Sequence, residues 1–348
     1  MMNHKDEAME TISQAVILLG ENITSEARKE LEKLSEWIEK SEIPNAESKF
    51  FTNTTAVLPL LFESIQQKNL DQVKHCLVDL GYDVNMQFSV DNGYGANYTP
   101  LHHCITSGSA EIYQYLIDEG ARYDLCTDGM LSVYPIDLCC LFGRADILAI
   151  SLKQLEQERK NNNKAVENFI KERFQDFTDG KRMSPCVHAM YRDVLECIEM
   201  LLTSFIVKEG ILSVNEMLNK GKSMGRGILH MAAQRGSLKC LKYLIDNHGD
   251  LLHVNEKDTS GNIPPHCAAF GNQFQQVEVS EHVVLQKAQC QVQGTCSHGS
   301  VVELLVNDLH ANMWLENTEK LTPVACSVKY GHTQVLKTFI ELGIHNEK

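Results

Sequence analysis

Of the side chains that can do chemistry, cysteine and histidine are plentiful: the 348-residue chain carries 12 and 14 of them. Their densest local grouping is His282, Cys290, Cys296 and His298. These are ligand types of tetrahedral zinc, and a closed loop with little core of its own would gain stability from a metal. The C-x5-C-x-H spacing is not a familiar zinc frame. A second candidate is Gly221-Lys222-Ser223, which has the end of a phosphate-binding loop. That loop needs a glycine where Glu216 stands and a strand before it, where the local pattern is helical. Neither a G-x-S-x-G elbow nor an H-E-x-x-H zinc pair occurs. The expectation is a protein without a catalytic site or cofactor, not an enzyme. The alternative is an enzyme or metal-binding protein whose site is built from inserted segments, with zinc at 282–298.

His102, His230 and His266 share a local frame rather than a reaction. Leu229 to Ile245 reads LHMAAQRGSLKCLKYLI. Thr99-Pro100-Leu101-His102 leads to Cys104, Gly108, Ile112 and Leu116-Ile117. Tyr134-Pro135-Ile136 leads to Cys139-Cys140, Gly143 and Ile147-Leu148, and Ile263-Pro264-Pro265-His266 to Ala268-Ala269. Thr322-Pro323-Val324 leads to Gly331, Val335-Leu336 and Ile340. Two weaker copies begin at Ser184-Pro185, with Val187 and Asp193 at the histidine and glycine positions, and at Leu58-Pro59-Leu60. Each element of the frame has a cause. Proline suits the first turn of a helix, and the Thr or Ser before it can cap that helix. Small residues let neighbouring helices approach, and glycine supplies the left-handed step between two helices. The aliphatic set after it has i, i+3, i+4 spacing, the apolar stripe of a second helix.

This series resembles the ankyrin repeat, TPLHxAAxxGxxxxVxxLL. The resemblance runs over about residues 55–348 and implies an all-α solenoid of six to seven irregular helix-turn-helix repeats. It also implies that the histidines hold backbone between repeats. The copies depart from the family's period of about 33 residues, so material is inserted. Residues 151–183 are charged and helix-prone, 203–224 form a shorter insert, and 273–298 split the sixth copy. Residues 1–50 do not match and read as two helices, an N-terminal helical cap. The expected domains are therefore that cap, repeats 1–3 over 51–150, a helical insert over 151–183, and repeats 4–7 over 184–348 with an insert at 273–298.

Net charge is −14, from 46 acidic and 32 basic side chains. This argues against nucleic acid, whose affinity rests on basic groups, and suits another protein with a basic surface. No apolar run approaches the ~20 residues needed to cross a bilayer. Cys104, Cys139, Cys140, Cys197, Cys240 and Cys326 sit inside helix-like patterns, where a thiol is a small hydrophobe. With no secretory signal at the start, the expected setting is reducing and cytoplasmic, for a monomer. Irregular, insert-laden arrays are also typical of bacterial effectors, which would be secreted into a host cell's cytosol.

The resemblance implies that a partner lies against the finger loops and the inner face of the first helices. The two variable positions before the glycine then point into a concave groove. They are Thr106-Ser107, Leu141-Phe142, Tyr191-Arg192, Gln234-Arg235, Phe270 and Lys329-Tyr330. Aromatic residues and arginine are the usual interface anchors. The expected function is thus a protein–protein interaction scaffold, with Leu141, Phe142, Tyr191, Arg192, Gln234, Arg235, Phe270, Lys329 and Tyr330 against the partner. Finger residues Tyr94, Tyr98, Met224, Asn262 and Trp314 are secondary candidates. A regulatory subunit that masks an enzyme surface would use the same groove.

Overall fold

The computed structural model describes residues 59–88, 97–127, 132–177, 182–270 and 297–344. The N-terminal cap expected over 1–50 lies outside them. The described residues form seven successive helix pairs. The first pair is α1 (Leu60–Gln66) and α2 (Leu70–Lys74), which runs on as a π-turn over His75–Asp79. The second is α3 (Pro100–Ser107) and α4 (Ala110–Asp118). The third is α5 (Pro135–Phe142) and the long α6 (Ala145–Asn161), followed by an additional helix, α7 (Asn163–Arg173). The fourth is α8 (Pro185–Arg192) and α9 (Leu195–Leu202), followed by the short α10 (Phe205–Lys208) and α11 (Val214–Asn219). Then come α12 (Ile228–Arg235) with α13 (Leu238–His248), α14 (Pro264–Phe270) with α15 (His298–Asn307), and α16 (Pro323–Lys329) with α17 (Thr333–Glu341).

First helices stack on first helices and second on second, pair by pair along the chain. The main apolar core runs between the two layers, from Leu61 and Phe62 to Val335 and Phe339, and a small second cluster joins Ala269, Phe270 and Cys326. The fold is an all-α solenoid; among the described residues β structure is limited to three isolated bridges. The starts are set by proline behind a cap: the side chains of Thr99, Ser184 and Thr322 accept N–H bonds from the first turns of α3, α8 and α16.

Between the two helices of a pair the chain makes a left-handed step. At Gly236 φ is +71°, and an added Cβ would lie 2.6 Å from the Ser297 hydroxyl of the next pair, so glycine is required twice over. At the fourth pair Asp193 takes this step with φ 55°. A side chain there costs about 1–2 kcal/mol. The carboxylate offsets the cost by accepting from the backbone N–H groups of Cys240 at 2.9 Å and Lys239 at 3.3 Å, in the first turn of α13. Asp193→Ala, which keeps the strain and loses the cap, is expected to destabilise by about 1–2 kcal/mol. Asp193→Gly removes both and should stay within about 0.5 kcal/mol of the parent. Urea unfolding that ranks glycine below alanine would refute this account of the cap.

The repeats are tied laterally by a histidine ladder. The Nε2 atoms of His102, His230 and His266 lie 3.2, 3.0 and 2.9 Å from the carbonyls of Val133, Asn262 and Leu321. Each carbonyl belongs to the residue just before the next pair's capping position. Their Nδ1 atoms accept the backbone N–H groups of Thr99, Gly227 and Ile263. This fixes the neutral tautomer with hydrogen on Nε2. Burial lowers all three pKa values, that of His102 to about 4.

The third pair breaks the ladder, because Asp137 stands at the histidine position. Its carboxylate Oδ2 accepts the Tyr134 backbone N–H at 2.9 Å, as a histidine Nδ1 would. It cannot donate onward. Arg173 at the end of α7 does so instead, donating to Asp137 Oδ2 at 2.5 Å and to the Met183 carbonyl at 3.5 Å. Met183 immediately precedes Ser184, the cap of the next pair, so its carbonyl is the one the missing histidine would have reached. One imidazole has been replaced by an acid on the repeat and an arginine on the additional helix, both buried.

Candidate partner-binding row

The inner row is carried by the C-terminal turns of the first helices. Each of α5, α8, α12, α14 and α16 packs on the next, so equivalent positions follow one another. The structure separates them by depth. Leu141, Gln234 and Phe270 are 6, 9 and 7 % exposed. Phe142, Tyr191, Arg192, Arg235 and Tyr330 are half-buried, and Lys329 is exposed.

Two contacts organise the row. At its centre the Arg235 guanidinium lies 3.7 Å from the centroid of the Tyr191 ring, bridging the fourth and fifth pairs. Burial lowers the Arg235 pKa to about 10, which leaves it charged at neutral pH. At the C-terminal end the Phe270 and Tyr330 rings meet edge to face at 4.9 Å, and the Lys329 ammonium sits 5.4 Å from the Tyr330 ring centroid. Lys329 also pairs with Glu319 at 2.5 Å.

Three family models match the sequence: a single ankyrin repeat over residues 96–128, a three-copy ankyrin model over 155–251, and a multi-copy ankyrin model over 229–279. The chain is an ankyrin-repeat protein. Among solved structures, the human ASB11 ankyrin repeat domain is similar at 18% identity, covering 80% of this chain and 96% of that one, with a TM-score of 0.48. No curated protein matches the sequence. Ankyrin repeats are in general modules of protein–protein interaction, and proteins built of them are typically non-enzymatic scaffolds.

In this ankyrin array the fingers, the turns that join one pair to the next, form their own ladder beside the row. Phe177 N–H donates to Lys222 O and Met224 N–H to Phe177 O; Thr259 N–H then donates to Met224 O and Thr318 N–H to Ser260 O. Among the finger candidates, Met224 and Trp314 are 50 and 57 % exposed, whereas Tyr98 and Asn262 are buried. Tyr94 lies outside the described residues. A cavity of about 350 Å³ opens between the last fingers and the row, lined by Arg226, Asn262, Phe270, Asn317, Glu319 and Tyr330 among others. Sequence reading missed most of this lining. The available signal was the pair Asn262 and Asn317, two buried amides at turn positions, joined Nδ2 to Oδ1 at 2.9 Å.

Of the four residues with zinc-ligand chemistry, His282, Cys290 and Cys296 lie outside the described residues. His298 is buried, and its Nε2 lies 3.0 Å from the Gln234 carbonyl. Burial lowers its pKa, and the Arg235 charge adds to that. Among the described residues no cluster of three or more histidine, cysteine, aspartate or glutamate side chains could hold a metal. No helix among them is long and apolar enough to cross a membrane.

Proposed function

We propose that this array is a scaffold that holds a segment of a partner protein along its inner row. The contacts are made by Phe142, Tyr191, Arg192, Arg235, Lys329 and Tyr330. Leu141, Gln234 and Phe270 support them from beneath, and the finger tips at Met224 and Trp314 flank the segment. The observation that carries this reading is the Tyr191–Arg235 stack. It holds an aromatic ring and a guanidinium, the two side-chain types most enriched at binding hot spots, half-exposed across two adjacent repeats. A reducing, cytoplasmic setting fits ten described cysteines that are free thiols, nine of them buried.

The test is a pull-down from cell lysate that compares the parent with Phe142→Ala/Tyr191→Ala. Truncating two anchors is expected to cost about 2–4 kcal/mol of binding, at least a tenfold loss of the captured partner, with helix content unchanged. Capture that survives the double substitution would move the interface elsewhere. A collapse of helix content would assign both rings to the core.

A further inference from the structure

The arginines of the inner row differ in their company from five arginines elsewhere in the array. Arg122, Arg144, Arg159, Arg173 and Arg226 each meet a carboxylate, on Asp124, Asp146, Glu167, Asp137 and Asp258. Among the described residues Arg192 and Arg235 meet none. They are the last residues of α8 and α12, the same position in two directly stacked helices. Arg235 is the more demanding of the two. Its ring-side face is covered by Tyr191, and its Nε is shielded from solvent with no acceptor among the described residues. A desolvated guanidinium with open donors is costly to hold, and a carboxylate matches its fork with two parallel hydrogen bonds.

We propose that the centre of the row is a carboxylate seat, and that the partner segment is acidic. Side-chain carboxylates of aspartate or glutamate settle on Arg235 and Arg192, while an apolar side chain next to them packs on Phe142 and Tyr191. This rests on the scaffold reading above and narrows it. It also reverses what net charge favours: a chain at −14 attracts basic surfaces at long range, but these two cations lie where a segment must dock.

The experiment selects twelve-residue peptides from a random displayed library on the full chain. Fluorescence anisotropy then measures the selected peptides against the parent, Arg192→Gln/Arg235→Gln, Phe142→Ala/Tyr191→Ala, and Arg122→Gln as a control. The expected result is enrichment of peptides with two or more acidic residues. Their Kd should rise at least about tenfold in the arginine double variant and stay unchanged in Arg122→Gln. Arg192→Gln alone, at a half-exposed site, keeps the test valid if Arg235→Gln lowers helix content; a fewfold loss is expected from it. Neutral or basic selected peptides, or acidic ones indifferent to both arginines, overturn the carboxylate seat. If such peptides still depend on Phe142 and Tyr191, the scaffold reading survives without it. If none does, both fall. Acidic peptides that bind only after residues 271–296 are removed would make that segment, with Glu278 and Glu281, the occupant, and the partner proposal would fail.

Discussion

Acidification from pH 7 to pH 4 is expected to unfold the array cooperatively, with half the helix signal lost between about pH 6 and pH 4. The cause is a set of histidines held neutral by burial. His102 and His103 are lowered to about 4 and His188 to about 3, and His230, His266 and His298 are lowered as well. In the unfolded chain each titrates near 6.5. Above that pH neither state binds the proton, and the full stability is present. As pH falls below about 6.5 the unfolded chain gains protons that the folded chain refuses, so stability drops by about 1.4 kcal/mol per pH unit for each such group. The loss for His102 ends near its folded value of about 4, by which point it alone amounts to about 3 kcal/mol. Two or three such groups rival the 5–15 kcal/mol that typically holds a domain together. Circular dichroism at 222 nm against pH reads this directly. His188 supplies the control, since both its ring nitrogens are buried without a hydrogen-bond partner among the described residues. His188→Leu removes a titrating group and no hydrogen bond, and should move the acid midpoint to lower pH. Helix content that persists to pH 4 in the parent would show that the buried imidazoles take up protons without unfolding.

The histidine ladder also shows how far the sequence could be read. A frame that recurs carries its own geometry: Pro100, His102 and Gly108 recur as Pro264 with His266, and as His230 with Gly236, so helix starts, left-handed steps and lateral bonds were all legible. Register in the inner row was legible for the same reason. Depth was not. Leu141, Gln234 and Phe270 occupy row positions, yet each is buried, in the case of Phe270 against the ring of Tyr330. A repeat pattern gives the direction of a side chain from its own helix, while its exposure depends on what the next repeat and the fingers put on top. The Tyr191–Arg235 stack is of this kind, since it joins residues of two repeats. The function of Arg173 was still further out of reach. An aspartate at a histidine position signals that something must donate in its place, but nothing local says that the donor lies 36 residues on, in an added helix.

That substitution predicts a large effect. Arg173→Ala leaves the Asp137 carboxylate buried with, among the described residues, the Tyr134 N–H as its sole remaining bond, and leaves the Met183 carbonyl without its donor from α7. Removing one partner of a buried ion pair typically costs about 3–5 kcal/mol. The guanidinium also lies 4.4 Å from the Tyr134 ring centroid, so packing between α7 and the third repeat goes with it. The loss should depend on pH. Burial pushes the Asp137 carboxyl up, and Arg173 is the chief force pulling it back. Without Arg173 the folded value rises further, so what this one carboxyl contributes to the variant's stability is fully present only below the ordinary aspartate pKa of about 4. It is lost as pH rises through the new folded value. Relative to its parent at the same pH, where the histidine losses cancel, the variant should therefore be less destabilised at the acid end of the folded range than at neutral pH, as measured by urea unfolding. The decisive comparison is Asp137→His in the Arg173→Ala background. A histidine at this position can accept the Tyr134 N–H through Nδ1 and donate to Met183 through Nε2, as its counterparts do in the second, fifth and sixth repeats. Recovery of most of the lost stability would establish that acid and arginine together stand in for one imidazole. If the histidine is no better than Arg173→Ala alone, the pair is an isolated ion pair, and its position on the ladder is coincidental.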